Sequence, residues 1–154
     1  MADRNAALYP IEPLSLDDLD EVKRLWRNTA GVGLNESDSR PALENYLVRN
    51  PGMSFVARDG REIVGAVLCG HDGRRGYLHH LAVMQQHRKK GLGKKLVNAC
   101  LAKLKKLRIQ KCDIFLFADN AAGETFWKHN GWSKRGDLEV MQKNLLATRN
   151  KRCC

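Results

Sequence analysis

Six consecutive residues carry the clearest chemistry in this chain: Arg88-Lys89-Lys90-Gly91-Leu92-Gly93, three cations and two glycines. They sit between a short apolar run, Tyr77 to Val83, and a segment that repeats Leu92, Leu96, Val97, Cys100, Leu101, Leu104 and Leu107 on one face. The first is a strand pattern and the second an amphipathic helix. The first N–H groups of a helix lack internal partners, and the macrodipole adds partial positive charge there. Glycines let a ligand approach the backbone without a Cβ in the way. A phosphate group fits such a junction. The bland alternative is a glycine-softened loop with solvated cations.

Two known phosphate loops fail on spacing. A P-loop counted back from Gly93-Lys94 needs Gly where Arg88 stands and a hydroxyl where Lys95 stands. A dinucleotide fingerprint needs a third Gly where Leu96 stands.

The run before the loop holds adjacent imidazoles, His79 and His80. An imidazole can take a proton near neutral pH. Strict strand alternation puts His79 on one face with Tyr77, Leu81 and Val83, and His80 on the other. His79 is therefore the candidate base, against the alternative of a buried histidine satisfied by a carbonyl. His80 reads as a packed residue. Tyr77 and Glu124 are weaker acid–base candidates, acting through water.

These groups need a frame. Tyr9 to Leu14 reads as a first strand, broken by Pro10 and Pro13 and so at an edge. Ser15 opens a helix with Leu16, Leu19, Val22, Leu25 and Trp26 as its stripe. Thr29 to Asp38 has no period and is a loop. Pro41 suits the first turn of a second helix, ended by Asn50-Pro51-Gly52. Ser54–Ala57 and Glu62–Gly70 are strands joined across Asp59-Gly60. The turn 71–76 leads into the Tyr77 strand. Cys112 to Phe117 is a strand parallel to it, reached through a right-handed helical crossover. A short helix at 121–129 stops at Asn130-Gly131. Trp132–Lys134 and Leu138–Leu146 form a closing hairpin about Gly136-Asp137. The order is βααβββαβαββ: an α/β (α+β) domain over residues 1–154, with residues 1–8 and 147–154 as flexible ends. Its mixed, mostly antiparallel sheet has six to seven strands and helices on both faces. The Tyr77 and Cys112 strands both lead into helices at their carboxyl ends, where ligands bind in open α/β sheets.

Arg-x-x-Gly-x-Gly after Leu81-Ala82-Val83 resembles the pyrophosphate loop of the GNAT superfamily of N-acetyltransferases. A second stretch, Asn120 to Trp132, is similar to that family's N-x-x-A-x-x-F-Y-x-x-x-G-F. Asn120, Phe126 and Gly131 match in register, Gly123 replaces Ala, Trp132 replaces Phe and Trp127 replaces Tyr. The motif pattern resembles bacterial members near the ribosomal-protein-alanine acetyltransferases. The resemblance spans almost the whole chain, but its specific residues lie between 77 and 132.

The resemblance implies acetyl-coenzyme A as co-substrate, no metal, and direct attack by a primary amine in a ternary complex. It implies a splay between the Tyr77 and Cys112 strands that admits the pantetheine arm. Backbone groups of Leu81, Ala82 and Val83 would pair with that arm, and a backbone N–H near Leu81 would polarise the thioester oxygen. Arg88, Lys89, Lys90, Gly91, Leu92 and Gly93 would hold the pyrophosphate. Asn120, Phe126 and Trp127 would complete the cofactor site. A His at the register of His79 resembles the one implicated in arylalkylamine acetyltransferases. Trp127 is the departure: the family's Tyr often protonates the leaving thiolate, and an indole N–H does not. The first two helices would wall the acceptor pocket with Trp26, Arg27, Asn35 and Tyr46, beside the 136–137 turn.

Composition bounds the alternatives. Lys plus Arg number 27 against 17 Asp plus Glu, a formal net charge of +10, which suits a phosphate-bearing cofactor or a nucleic acid. A nucleic-acid-binding module is disfavoured because no cluster of aromatic residues offers a stacking platform. A non-catalytic acyl-coenzyme A sensor of the same fold stays open through Trp127. No apolar run is long enough to span a membrane, and the first ten residues lack a signal peptide's apolar core. The five Cys show no C-x-x-C spacing. Cys69, Cys100 and Cys112 read as reduced core thiols of a cytoplasmic protein. The acceptor is a small-molecule, peptide or protein amine, and a homodimer is allowed.

Overall fold

The computed structural model describes residues 9–146. The elements are β1 (Ile11–Pro13), α1 (Leu19–Arg27), α2 (Arg40–Arg49), β2 (Phe55–Asp59), β3 (Glu62–His71), β4 (Gly76–Val83), α3 (Leu92–Lys106), β5 (Cys112–Ile114) and α4 (Ala121–His129). Single 3₁₀ turns at Leu16–Asp18, Glu36–Asp38 and Gln85–His87 lead toward α1, α2 and α3.

Local chemistry sets the starts. Ser15 and Asp18 exchange a capping box, with Ser15 N donating to Asp18 Oδ2 at 3.0 Å. The turn they open keeps Leu16 at the surface, and the buried stripe of α1 is Leu19, Val22, Leu25 and Trp26. The Ser39 hydroxyl caps α2 by accepting from Ala42 N, with Pro41 in the first turn. Gly60 takes φ +60° in the turn between the paired ends Asp59 and Glu62.

The sheet runs β1-β2-β3-β4-β5; the first four strands are antiparallel and β5 is parallel to β4. That parallel pair is what α3 connects. One face packs α3 through Leu92, Leu96, Val97, Cys100 and Leu104 onto Val64, Val67, Cys69 and Leu78. The other packs α1 and α2 through Leu19, Val22, Trp26 and Leu43 onto Val56, Ile63, Ala66, Leu68 and Ala82. Two apolar layers thus sandwich β3 and β4, and those strands hold the site rigidly.

The structure corrects the strand count. Among the described residues the sheet has five strands, and the expected closing hairpin does not form: residues 132–146 contain no strand. Leu138, Val140, Met141, Leu145 and Leu146 are exposed. Arg135 and Asp137 do pair across the expected turn, at 2.8 Å. A two-stranded ribbon without a third strand is marginal in water, and β5 offers it little edge. Only Cys112–Ile114 have ladder partners on β4, so the strand expected to reach Phe117 stops early. The expectation of flexible ends at 1–8 and 147–154 lies outside the described residues. No helix among the described residues is long and apolar enough to cross a membrane.

Candidate active site

The β4–β5 ladder contains three pairs: Gly76↔Cys112, Tyr77↔Asp113 and Leu78↔Ile114. Beyond them β4 runs on through His79–Val83 with no partner on its β5 side among the described residues. Backbone groups along that side are free to bind an extended ligand. The expected gap is therefore present, and His79 is the first β4 residue past its apex.

A bulge lies inside the gap. His79 pairs with Leu68 and Ala82 with Ala66, so Val67 alone faces both His80 and Leu81. His80 absorbs the extra residue at φ +54°, left-handed backbone that a residue with a Cβ seldom adopts. The extra residue inverts the alternation that follows. Leu81 and Val83 pack on the α3 side, while Ala82 joins the α1/α2 side. Both histidines face α1 and α2: His79 lies 6.3 Å from the Tyr46 ring and His80 5.1 Å from the Trp26 ring. This overturns the expectation that His79 shares a face with Leu81 and Val83 while His80 points away. Tyr77 does share the side of His79, stacked on it at 6.3 Å.

The two imidazoles have unlike surroundings. His79 is ringed by Tyr46, Tyr77 and Phe115, the last at 5.9 Å. Burial, then the neighbouring His80, hold its pKa below the ordinary value of 6.5, against a smaller opposite pull from Asp38. It is neutral near pH 7. His80 Nε2 lies 2.8 Å from Asp38 Oδ1. Asp38 is 7% exposed, and its Oδ2 accepts the Asn35 N–H at 3.0 Å.

The loop between β4 and α3 keeps its glycines at the helix start, with Arg88 and Lys90 occupied in hydrogen bonds. Gly91 caps α3 at φ +76°, and a Cβ there would meet nothing within 4 Å. Lys89 is also left-handed, at φ +60°. Arg88 Nε donates to the Val83 carbonyl at 3.1 Å, which ties the loop to the end of β4. Lys90 Nζ donates to the Tyr9 hydroxyl at 2.7 Å and stands 5.3 Å from that ring. A Cβ on Gly93 would lie 3.2 Å from the Phe126 ring and 4.0 Å from Leu81 Cδ2, so glycine lets α3, α4 and β4 converge. Open backbone N–H groups at a helix N-terminus, flanked by exposed Arg88 and Lys89, fit a pyrophosphate. A groove of about 520 Å³ runs beside the loop, between α1 and residues 83–88, with Arg24 and Arg88 on its walls.

Other expected site residues fall as follows. Asn120 caps α4, its Oδ1 accepting from Gly123 N at 2.9 Å. Phe126 covers Gly93. Trp127 is a core residue, 9% exposed, edge-on to Phe126 at 5.2 Å and to Trp132 at 4.8 Å. Glu124 pairs with Lys128 at 2.7 Å and Lys134 at 3.7 Å, and the Lys128 hydrogen bond lowers its pKa, which makes it a worse base. Trp26 is fully buried and cannot line an acceptor pocket; it backs His80 instead. Arg27 is exposed on α1. Asn35 opens the turn at 36–38, accepting from Ser37 N at 2.8 Å. The Tyr46 hydroxyl is buried without a partner among the described residues, and burial pushes its pKa up.

The loop after α1 packs closely on residues that follow β5. A Cβ on Gly31 would lie 2.6 Å from Asn120 Nδ2, and one on Gly33 2.6 Å from Phe117 Cζ. Asp38 went unrecognised in the sequence and His80 was set aside as packing. The signal for Asp38 was there: Asn35-Glu-Ser-Asp38 is a capping-box spacing. Nothing in the spacing marks the bulge at His80.

Known proteins share this design. The model of the Acetyltransferase (GNAT) family matches residues 19–132. An acetyltransferase of Sodalis glossinidius is 25% identical over 130 residues, 84% of this chain and 91% of that one. N-alpha-acetyltransferase 30 of Schizosaccharomyces pombe is 30% identical over 132 residues, 82% and 85% of the two chains. Among solved structures, a PaiA N-acetyltransferase of Thermoplasma acidophilum in complex with coenzyme A superposes with a TM-score of 0.72 at 22% identity, covering 81% of this chain and 89% of that one. A ribosomal-protein-alanine N-acetyltransferase of Brucella melitensis gives 0.67 at 21%, covering 88% and 99%. With the family match spanning gap, bulge and anion loop alike, the chain belongs to the GNAT acetyltransferase family and takes its acetyl group from acetyl-coenzyme A.

Proposed function

We propose that this N-acetyltransferase acts by direct attack of a primary amine on the thioester, both substrates being bound at once. The observation that carries this reading is the unpaired stretch of β4. It has an anion loop at one end and imidazoles on its α1/α2 side. The donor enters from the β5 side. Arg88, Lys89 and the backbone N–H groups through Gly93 hold the pyrophosphate, with Lys90 braced on Tyr9. Backbone groups of Leu81, Ala82 and Val83 pair with pantetheine, and the Leu81 N–H polarises the thioester oxygen. The acceptor comes from the α1/α2 side, past Arg27, Asn35 and Tyr46. An alkyl amine is protonated near neutral pH, with a pKa of about 10. A β4 imidazole removes that proton.

The acceptor is the amine of a small molecule, peptide or protein. The relatives named for N-alpha and ribosomal-protein-alanine acetylation make a polypeptide N-terminus the first to test. Free thiols at Cys69, Cys100 and Cys112 support a cytoplasmic location. The open β5 edge supports a homodimer.

Thermal shift with acetyl-coenzyme A, followed by thiol release over a panel of amines, tests the reading. Ligand at a hundred times its Kd adds about 2.7 kcal/mol. For a domain this size that raises Tm by roughly 5–10 °C. A flat titration of folded protein would exclude the donor site. A shift without thiol release on any amine would favour a sensor.

A further inference from the structure

Two imidazoles stand on the acceptor side of β4, and only one is oriented. An ionised carboxylate can only accept, so the 2.8 Å contact with Asp38 Oδ1 places the hydrogen on His80 Nε2. In the neutral ring that leaves Nδ1 with the lone pair. Nδ1 has no hydrogen-bond partner among the described residues, yet it is not among the sealed, unpartnered atoms. The carboxylate is fixed in turn: Asp38 is buried, and its other oxygen holds the Asn35 N–H. Trp26 backs the imidazole from α1. The left-handed backbone at residue 80 aims this assembly at the acceptor side, beside the start of the gap. Among the described residues His79 has no carboxylate in hydrogen-bonding contact, and the rings of Tyr46, Tyr77 and Phe115 surround it.

We propose that Asp38 and His80 form the proton-accepting dyad of the acetyl transfer, with His80 Nδ1 as the base. The assignment rests on the reading above and deepens it. The acceptor ammonium gives one proton to Nδ1, while Asp38 goes on accepting the Nε2–H hydrogen bond and steadies the imidazolium. The freed lone pair forms the C–N bond at the thioester carbonyl, and the C–S bond breaks. The second nitrogen proton neutralises the leaving thiolate, and the imidazolium returns its proton to solvent. Net, one proton is released per turnover. The titratable groups facing His80 are Asp38, from the turn before α2, and His79 on its own strand; α1 presents the neutral Trp26 indole.

The test is kcat against pH for the parent, His80→Gln, His80→Asn, Asp38→Asn and His79→Gln, with acetyl-coenzyme A and the best amine of the panel. Asn tolerates left-handed backbone, so His80→Asn guards against a folding failure in the Gln variant. Either His80 variant is expected to lose about 10²–10⁴ in kcat and the ascending limb, while keeping the thermal shift with acetyl-coenzyme A. Asp38→Asn should lose roughly 10–100-fold. His79→Gln should keep the limb. A His80→Asn profile that overlays the parent's overturns the dyad, as does loss of the limb in His79→Gln alone. A parent with no turnover on any amine overturns the underlying reading as well, so the two failures are distinguishable.

Discussion

At the residue scale, the site depends on which imidazole meets which neighbour. The residue types were legible: the proposed amine transfer needs a base near neutral pH, and β4 carries two imidazoles. Their faces were not, because one left-handed residue shifts the phase of every side chain after it. His79 carries a consequence for stability that is separate from catalysis. Its folded pKa is lowered, mainly by burial, so the unfolded chain binds the proton more readily. Stability is then full above the unfolded value of about 6.5 and falls as pH drops through the folded value. Thermal melts from pH 8 to pH 5 should show this slope in the parent. His79→Gln should lose that component of it. Parallel curves for the two proteins would mean that the His79 proton is not linked to folding.

At the scale of elements, the sequence carried α3 and α4 almost to the residue, while α1 begins at Leu19 rather than at the turn that Ser15 opens. The 121–129 helix has the limits of α4, and the Ser15 capping box opens the turn before α1 as its spacing requires. These are local signals, set by caps and apolar periods, and they survive without tertiary information. The closing hairpin failed because strand formation depends on a neighbour. Its turn pair, Arg135–Asp137, exists, but no ladder lies beside it. What remains is an open β5 edge with exposed Phe115 and Phe117, and an unpaired apolar segment from Leu138 to Leu146 in the same chain. Two unpaired surfaces that do not meet within one copy can meet between two. Light scattering should give a dimer mass, and Val140→Lys with Met141→Lys should return it to a monomer. A parent that is monomeric at tens of micromolar would leave the edge to the chain's own segment.

At the scale of the molecule, β4 has an unpaired side toward β5 and a face toward α1 and α2, which suits the proposed arrival of two substrates from different sides. The β3–β4 pair is sealed between two apolar layers, and the gap opens only where β5 turns away. The net charge of +10 is a diffuse attraction for a phosphate-bearing donor. The proposed selective element is the N-terminus of α3, where Gly91 leaves the backbone open and Gly93 lets Phe126 close in. The most direct measurement is calorimetric titration of acetyl-coenzyme A into the parent and into Gly93→Asp. A carboxylate in the first turn of a helix is mildly stabilising, by about 0.3–1 kcal/mol, and Phe126 has to yield only slightly, so the variant should fold. Saturable one-site binding to the parent, lost in folded Gly93→Asp, is the predicted result. Equal affinity in the two proteins, or no heat with the folded parent, would contradict a donor pyrophosphate seated on the first turn of α3.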